Sequence, residues 1–431
     1  MKPNRVIVLL WLAWAIILIA FQALATARLV PQFPDHALEW TTKFTGDGYQ
    51  EGHVYLLEPF MNNQVAWDSE YYLSIALGGY DDPRSPHLTP EGVVTSPDGI
   101  PSTQSGSDVG PVVSSNYAFF PFYPLMIRIL AYPLRLFGLS PIATATLAGV
   151  LISALGTLFG MLALFDLTRE SLGEETALRA VFYLIIFPTG FFLLQVYSEG
   201  LFVGLAFGCL AMLKRGYWLL AALLAAAATM TRAVGIALVI PLLMTWIRTG
   251  QWMDFRMEWR QIFHEGFPFR QLARALLVCT PVITFVIWRL SYLGVNFRYI
   301  QDHVYGRGML QLGKALFLWS EAFGSALTGQ SPQHTAYYLT EFLGLAIGVI
   351  ACVITIKTHP ELGWFSFAVL LISWGSGPAQ GIHRYILGAP AVFITLARWG
   401  NHPVFDRAWT LISILLMGLL AMLFAFNMWV A

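Results

Sequence analysis

VIVLLWLAWAIILIAFQALA, residues 6–25, carries no charged side chain and is long enough to cross a bilayer as one helix. Similar apolar stretches recur along the 431 residues, which are 57% hydrophobic and 12% charged, with a mean hydropathy of +0.62. This composition predicts an all-α polytopic membrane protein with about eleven transmembrane helices. The predicted spans are residues 6–27, 142–168, 178–195, 197–213, 217–231, 233–247, 272–293, 337–357, 361–376, 384–398 and 408–429.

The first apolar stretch also has features of a secretory signal. Lys2 and Arg5 precede it, and Ala25-Thr26-Ala27 at its end resembles a cleavage site. The apolar core of a signal peptide runs about 7 to 15 residues, which is shorter than this stretch. We therefore expect a first transmembrane helix that is retained.

The basic residues indicate how the spans are oriented, because cytoplasmic loops are enriched in Lys and Arg. With the N-terminus inside, the short inward loops hold most of them: Lys2, Arg5, Arg169, Arg179, Lys214, Arg215, Arg248, Arg256, Arg260, Arg270, Arg274, Lys357, Arg398 and Arg407. The sequence therefore predicts a single membrane domain, residues 1–431, with a cytoplasmic N-terminus. Its two long loops, residues 28–141 and 294–336, are then extracytoplasmic.

The first long loop contains an acidic and aromatic stretch, WDSEYYLSIALGGY, at residues 67–80. Asp68, Tyr72, Ile75 and Gly79 recur at helical spacing, which predicts a short amphipathic helix ending at Gly78-Gly79. Asp68 lies at its start, where the helix dipole favours an ionised carboxylate. Such a carboxylate is suited to act as a general base toward a hydroxyl, and the alternative is that Asp68 only caps the helix.

Two further segments of this loop differ in character. Residues 81–115 are rich in Asp, Pro, Ser, Gly and Thr, so we predict a flexible insert that buries little surface. Residues 119–140 contain three prolines and two arginines among apolar residues, which favours an interfacial amphipathic segment over a span.

Ionisable side chains also occur at the ends of predicted spans. They are Glu199, Arg232, His383 and Arg384. At membrane depth such groups are costly unless they are paired or face a watery cavity, so they are candidates for function. Arg232 and Arg384 are suited to bind a phosphate as forked donors. The alternative is an internal ion pair, for example between Glu199 and Arg232.

The sequence argues against several other classes of function. It has zero formal net charge, which gives no basic field for nucleic acid, and it lacks phosphate-loop, nucleophile-elbow and dinucleotide-binding motifs. The three cysteines lie in separate apolar stretches, and the nine histidines do not cluster at ligand spacing. We therefore expect no cofactor and no metal, although Asp81 and Asp82 leave a hard divalent ion as an alternative.

Residues 67–80, read as W-D-x-E-Y-Y-L-x-I-A-x-x-G-Y, and the following N-Y-A-F-F-P-F-Y-P at residues 116–124 resemble the PIG-V family. These enzymes add the second mannose to glycosylphosphatidylinositol. Weaker elements follow in the same order, at residues 187–190, 197–202, 231–235 and 384–385, so the resemblance covers about residues 60–395. Ala233 and Val234 depart from the family's small polar pair, and the insert at 81–115 is longer than expected.

The resemblance implies a GT-C type glycosyltransferase bundle whose first extracytoplasmic loop carries short interfacial helices. It implies an inverting enzyme that takes mannose from a polyprenyl-phosphate donor on the extracytoplasmic face, with Asp68 as the catalytic base. We expect Glu70 to assist Asp68 and the arginines to neutralise the departing phosphate. The expected substrate-binding residues are Trp67, Tyr71, Asn116, Tyr117, Tyr197 and Glu199, and the expected donor-phosphate ligands are Arg232, His383 and Arg384.

Two other classes of function remain open. A solute transporter or lipid scramblase would use the intramembrane Arg and Glu as a substrate path, but we see no internal repeat of the kind typical of transporters. A non-catalytic assembly subunit of the same fold would bind the donor without turnover. The acceptor, which could be a lipid, a glycan or a protein hydroxyl, is not specified. The short loops and the divergent Arg232 element indicate a prokaryotic relative, for which glycosylphosphatidylinositol would not be the acceptor.

Overall fold

The computed structural model describes residues 2–46, 49–85, 87–89, 92–94, 113–249, 269–329 and 331–431. Within them the chain is mainly helical, which confirms the all-α class. The helices are α1 Pro3–Arg28, α2 Thr41–Phe44, α3 Asp68–Leu77, α4 Phe122–Leu134, α5 Pro141–Leu172, α6 Glu174–Ile186, α7 Glu199–Lys214, α8 Trp218–Thr231, α9 Val239–Arg248, α10 Phe269–Leu290, α11 Tyr292–His303, α12 Leu312–Thr328, α13 Pro332–Ile356, α14 Pro360–Trp374, α15 Ile382–Tyr385, α16 Pro390–Trp399 and α17 Pro403–Ala425.

Five of the described helices are long and apolar enough to cross a membrane: α1, the part of α10 from Leu272 to Leu290, and the whole of α5, α13 and α17. The protein is therefore an integral membrane protein. Several other predicted spans are shorter or broken, so the count of about eleven is not confirmed. For example, the span predicted at 178–195 ends as helix α6 at Ile186, because Phe187 precedes Pro188 and has an extended backbone with ψ 146°.

Helices α5 and α7 pack closely along a stripe of small residues. A Cβ added to Gly156 on α5 would lie 2.5 Å from the carbonyl oxygen of Gly200 on α7, and one added to Gly160 would lie 2.6 Å from a methyl carbon of Val203. Only glycine permits this approach of two backbones. The contact fixes the start of α7, and Glu199 is the first residue of that helix.

The first loop contains both helices and a small sheet. Strands β1 His87–Thr89, β2 Gly92–Val94 and β3 Val113–Ser114 form an antiparallel sheet of order β2-β1-β3. The insert predicted at 81–115 therefore contributes strands, which its composition did not predict. Residues 86, 90–91 and 95–112 of the insert lie outside the described residues, so the predicted flexibility there stays a prediction.

Two other predictions concern segments beside the spans. In residues 119–140, α4 buries Tyr123, Ile127 and Ala131 on one side and exposes Ile129 and Tyr132 on the other. It is 13 residues long, about 20 Å at 1.5 Å per residue, which is too short to cross a bilayer. The loop predicted at 294–336 is mostly helical, because α11 and α12 occupy most of it. The Ser291 hydroxyl accepts the Gly294 N–H and so caps the start of α11.

Substitution of Gly156 by valine should separate α5 from α7, since the added side chain meets backbone atoms that cannot rotate away. We expect the free energy of unfolding to fall by about 1–3 kcal/mol. Thermal or denaturant unfolding of the detergent-solubilised protein measures the change. Gly313→Ala in α12 is the matched control, because its added Cβ would meet no atom within 4 Å. Equal effects of the two changes would contradict the packing argument.

Candidate active site

Helix α3 begins at Asp68 after an unusual turn. Trp67 precedes it with φ 50° and ψ −113°, a conformation that a side chain other than glycine rarely adopts. The Trp67 indole N–H donates to the carbonyl oxygen of Met428 at 3.1 Å, and its ring packs edge-on against Trp40 and Trp429. The expected substrate residue Trp67 is therefore part of an aromatic cluster that holds the turn.

Both ends of α3 are fixed by other elements. At the start, the Asp68 backbone N–H donates to the Tyr197 hydroxyl at 3.2 Å. At the other end, the Arg128 guanidinium donates to the carbonyl oxygens of Ala76 and Ile75 at 2.7 and 3.1 Å. The helix ends where the sequence predicts, with Gly78 as its cap.

The Asn116 side chain also holds the end of α3. It is buried, its amide donates to the Ser74 hydroxyl at 2.9 Å and to the Gly79 carbonyl oxygen at 3.2 Å, and its oxygen accepts from Ser85 at 2.8 Å. All of these partners lie within the first loop. The contacts favour a structural role for Asn116 over the predicted contact with substrate.

The Asp68 carboxylate lies in a cluster of charged side chains. Arg384 Nη1 is 3.1 Å from Asp68 Oδ2, and Arg384 Nε is 3.1 Å from Glu199 Oε1. Asp68 is the first residue of α3 rather than its cap, and its side chain is 25% exposed, against 3% for Glu199. The structure thus joins three predicted site residues through one guanidinium and leaves Asp68 partly open.

Arg232 completes this pairing from the end of α8. Its Nη1 forms an ion pair with Glu199 Oε1 and donates to the Ser198 hydroxyl at 3.1 Å. The internal ion pair that the sequence left as an alternative is therefore present. The Arg232 guanidinium also lies 4.8 Å from the centre of the Tyr385 ring, and Arg384 lies 5.4 Å from it.

A third cation, Arg307, was not predicted from the sequence. It follows α11, and its Nη1 donates to the Tyr385 hydroxyl at 3.0 Å while Nη2 contacts the Gln380 carbonyl oxygen at 3.4 Å. No carboxylate in the described part of the chain forms an ion pair with Arg307. Around Tyr385 three guanidiniums therefore meet two carboxylates, which leaves an excess of one positive charge.

Glu70, the second predicted catalytic residue, has a different partner. Both of its carboxylate oxygens lie 2.9 Å from Nδ1 of His53, and both side chains are buried. Burial raises the pKa of Glu70, and the hydrogen bond from His53 offsets only part of that rise. The structure pairs Glu70 with His53 and not with Asp68, so its geometry suits the support of α3.

His383 likewise has partners outside the Asp68 cluster. Its Nε2 donates to the Val430 carbonyl oxygen at 2.8 Å, and its Nδ1 lies 3.1 Å from Glu341 Oε2. The neighbouring Arg384 side chain contacts Asp68, whereas the His383 side chain contacts Val430 and Glu341. The structure therefore does not bring His383 to the three arginines as the predicted phosphate role requires.

Glu341, which supports the turn before Arg384, was not predicted from the sequence. It is fully buried in α13 and accepts N–H groups from Gly381 and Ile382, the latter at 2.8 Å, and the Tyr337 hydroxyl at 2.8 Å. These contacts fix the turn that carries Arg384. A carboxylate inside the predicted span 337–357 is itself the signal that could have identified it, because such groups are rare in membrane helices.

The remaining predicted residues line the first loop. Tyr71 stacks on Phe119 with ring centres 4.9 Å apart, and the Tyr117 hydroxyl donates to Asp81 at 2.8 Å. Asp82 is held by Arg84, with two N–O distances of 3.0 Å, and by the Tyr55 hydroxyl. Among the residues that the structure describes, no three His, Cys, Asp or Glu side chains lie close enough to bind a metal together.

Comparison with known proteins places this geometry in context. Residues 104–292 match the family model described as Mannosyltransferase (PIG-V). The resemblance to the PIG-V family is confirmed. The matched stretch contains Asn116, Tyr117, Tyr197, Glu199 and Arg232, whereas Asp68 and Arg384 lie on either side of it.

The chain is 30% identical over 186 residues to GPI alpha-1,6-mannosyltransferase 2 of Cricetulus griseus. The alignment covers 42% of this chain and 31% of that protein, so the chain matches about a third of the relative's length.

Two solved structures show a distant likeness. ArnT from Cupriavidus metallidurans, bound to undecaprenyl phosphate, is 16% identical with a TM-score of 0.39, over 68% of this chain and 52% of that one. The oligosaccharyltransferase of Archaeoglobus fulgidus, tethered to an acceptor peptide, is 13% identical with a TM-score of 0.41, over 96% and 55%.

Replacement of Glu341 by alanine should destabilise the protein, because the buried N–H groups of Gly381 and Ile382 lose their acceptor. We expect the free energy of unfolding to fall by about 1–3 kcal/mol for each group left unpaired. Tyr337→Phe is the control, since it removes one hydroxyl and should cost about 1 kcal/mol. Denaturant unfolding compares the two variants, and a smaller loss for Glu341→Ala than for Tyr337→Phe would contradict the proposed support of the turn.

Proposed function

We propose that the protein is an inverting glycosyltransferase that moves mannose from a polyprenyl-phosphate donor to an acceptor hydroxyl on the extracytoplasmic face of the membrane. The observation that carries the proposal is the partly exposed Asp68 carboxylate at the start of α3. Three guanidiniums lie near it, and their positive charge exceeds the negative charge of the two carboxylates in the cluster by one. The confirmed resemblance to mannosyltransferases supports the sugar. The proposed polyprenyl carrier is a membrane lipid, so it can reach a donor site on an integral membrane protein.

The carboxylate supplies the base for the reaction. Arg384 contacts Oδ2 of Asp68, and we assign Oδ1 to the incoming acceptor. In the proposed step the acceptor hydroxyl gives its proton to Asp68 as its oxygen forms a bond to the anomeric carbon of mannose. A positioned general base of this kind contributes about 10²–10⁴-fold to a rate.

The guanidiniums stabilise the group that leaves. As the bond between the anomeric carbon and the phosphate oxygen breaks, the electron pair and the negative charge move to polyprenyl phosphate. Arg307 has hydrogen-bond donors that are not paired to a carboxylate, so we assign it the first contact with this phosphate. Arg232 and Arg384 are already paired, and they add positive potential across the Tyr385 ring.

No cofactor is required by this scheme. The donor is already activated by its phosphate leaving group, the carboxylate takes the proton, and the guanidiniums meet the developing charge. The Asp81 and Asp82 pair, the alternative metal site in the sequence, is occupied by Tyr117 and Arg84. We therefore propose that transfer proceeds in the presence of a chelator.

Asp68→Asn should abolish most sugar transfer while leaving the fold intact, because the amide keeps the shape but cannot accept the proton. We expect turnover to fall by about 10²–10⁴-fold. Transfer of labelled mannose from polyprenyl-phosphate mannose to endogenous membrane acceptors measures it. Asp302→Asn, an exposed change on α11, is the matched control. Near-normal turnover by a folded Asp68→Asn protein would overturn the assignment of Asp68 as the base. If the wild-type protein bound the donor without turnover, a non-catalytic subunit would be favoured instead.

Arg307→Gln should weaken the use of donor more than that of acceptor. A charge-assisted hydrogen bond contributes about 1.5–3 kcal/mol, so kcat/KM for the donor should fall by about 10–100-fold. Steady-state kinetics with donor and acceptor varied separately measures the effect. Arg298→Gln on the exposed side of α11 should leave both values unchanged. An equal loss toward donor and acceptor would assign Arg307 to the support of Tyr385 instead.

A further inference from the structure

The chain turns back on itself directly after helix α17. Asn427 has a left-handed backbone with φ 56°, and the Met428 N–H donates to the Leu423 carbonyl oxygen at 2.9 Å. This pattern is a common way to end a helix, and asparagine tolerates the left-handed conformation better than most residues. The turn leads into residues 427–430, called here the 427–430 segment, most of which are buried.

Two carbonyl oxygens of the 427–430 segment accept hydrogen bonds from side chains near the site. The Trp67 indole N–H donates to Met428 at 3.1 Å, and Nε2 of His383 donates to Val430 at 2.8 Å. Met428 and Val430 are two residues apart, so their backbones are separated by at most about 7 Å. Trp67 and His383, which are distant in sequence, are therefore held at neighbouring positions of one short segment.

Each of these donors immediately precedes one partner of the central ion pair. Asp68 follows Trp67, and Arg384 follows His383. The Asp68 and Arg384 side chains meet at 3.1 Å. Because the 427–430 segment binds the preceding residue on both sides, it limits how far the backbones that carry the two charges can move apart.

The 427–430 segment has an anchor of its own in the first loop. The Trp429 backbone N–H donates to Oδ2 of Asp35 at 2.8 Å, and Asp35 is buried. Hydrogen bonds to a carboxylate are roughly twice as strong as those between neutral groups. The Trp429 ring also packs edge-on against Trp40 and Trp67, with ring centres 4.7 and 5.1 Å apart. The position of the segment therefore does not depend on its two carbonyl contacts alone.

We propose that the 427–430 segment sets the spacing between Asp68 and Arg384 during transfer. Trp67 and His383 are then positioning residues that act through their neighbours. The inference rests on the proposed function, in which Asp68 takes a proton. A protonated carboxyl group is neutral and loses most of its attraction to a guanidinium, whereas the hydrogen bonds to the carbonyl oxygens do not depend on that charge. The segment therefore holds the geometry at the step where the ion pair weakens.

Two substitutions of His383 isolate its contact with Val430. In His383→Gln the amide nitrogen takes the place of Nε2 and can still donate to Val430, whereas in His383→Asn it reaches only the place of Nδ1. We expect kcat of His383→Asn to fall by about 10–100-fold, as a displacement of about 1 Å can cause, and kcat of His383→Gln to stay close to that of the wild type. The KM for the donor should not change, since Arg307 is held by other residues. Steady-state kinetics measures both values.

Trp67→Phe tests the other contact independently. It removes the indole N–H and keeps an aromatic ring, so kcat should fall while the KM for the donor stays unchanged. Trp40→Phe makes the same change in the same aromatic cluster, away from the Met428 carbonyl, and should lower kcat less. Since Trp67 and His383 act on one ion pair, the Trp67→Phe, His383→Asn double variant should lose less activity than the product of the two separate losses. A full product would overturn the shared role of the segment.

Electron cryomicroscopy of the two His383 variants measures the geometry without an activity assay. We expect the separation of Asp68 and Arg384 to stay near 3.1 Å in His383→Gln and to lengthen in His383→Asn. An unchanged separation in His383→Asn, or equal kcat values for the two His383 variants, would overturn the positioning role. If the expected separations were found but the wild type transferred no sugar, the proposed function would be overturned and the positioning of the ion pair by the segment would be supported.

Discussion

The contact on which the site depends is the bridge from the Arg384 guanidinium to the carboxylates of Asp68 and Glu199. It joins the loop helix α3, the start of α7 and the short helix α15, and Arg384 and Asp68 are 316 residues apart in sequence. A guanidinium is suited to this because its donors point in fixed directions and it stays charged when buried. Without it, the carboxylate at the start of α3 would lack its only described ionic partner.

Two other parts of the bundle position the residues of this bridge. Glu341 accepts the N–H groups of the turn that carries Arg384, and the close packing of α5 against α7 positions Glu199. Buried ionic groups in a membrane helix are costly unless they are fully paired. We therefore attribute these buried groups to the positioning of the Asp68 cluster and not to a gain in the free energy of unfolding.

Much of this arrangement was predictable because it is encoded locally. The apolar stretches gave the long helices to within a few residues, and the spacing in residues 67–80 gave both the start and the end of α3. The specific residue types near span ends identified Glu199, Arg232 and Arg384. Pro188 ends the predicted span 178–195 early, because a proline disfavours helical backbone at the residue before it.

The parts that were missed depend on contacts between distant segments. The His53 partner of Glu70, the packing of His383 against Glu341 and the approach of Arg307 to Tyr385 join residues from separate helices and loops. No periodicity or motif encodes such pairs, so the roles expected for Glu70 and His383 could not be refined from the sequence. Arg307 lies between two glycines in a predicted loop, where the sequence does not distinguish an arginine that contacts Tyr385 from a solvated one.

A structure of the protein with bound polyprenyl phosphate, determined by electron cryomicroscopy in nanodiscs, would show whether the Asp68 cluster is the transfer site. We expect a phosphate oxygen about 2.7–2.9 Å from the Arg307 guanidinium, with Asp68 facing it across a space that admits one sugar ring. A phosphate bound away from Arg307, with the Asp68 carboxylate closed off from it by packed side chains, would contradict the central claim that this cluster is the transfer site.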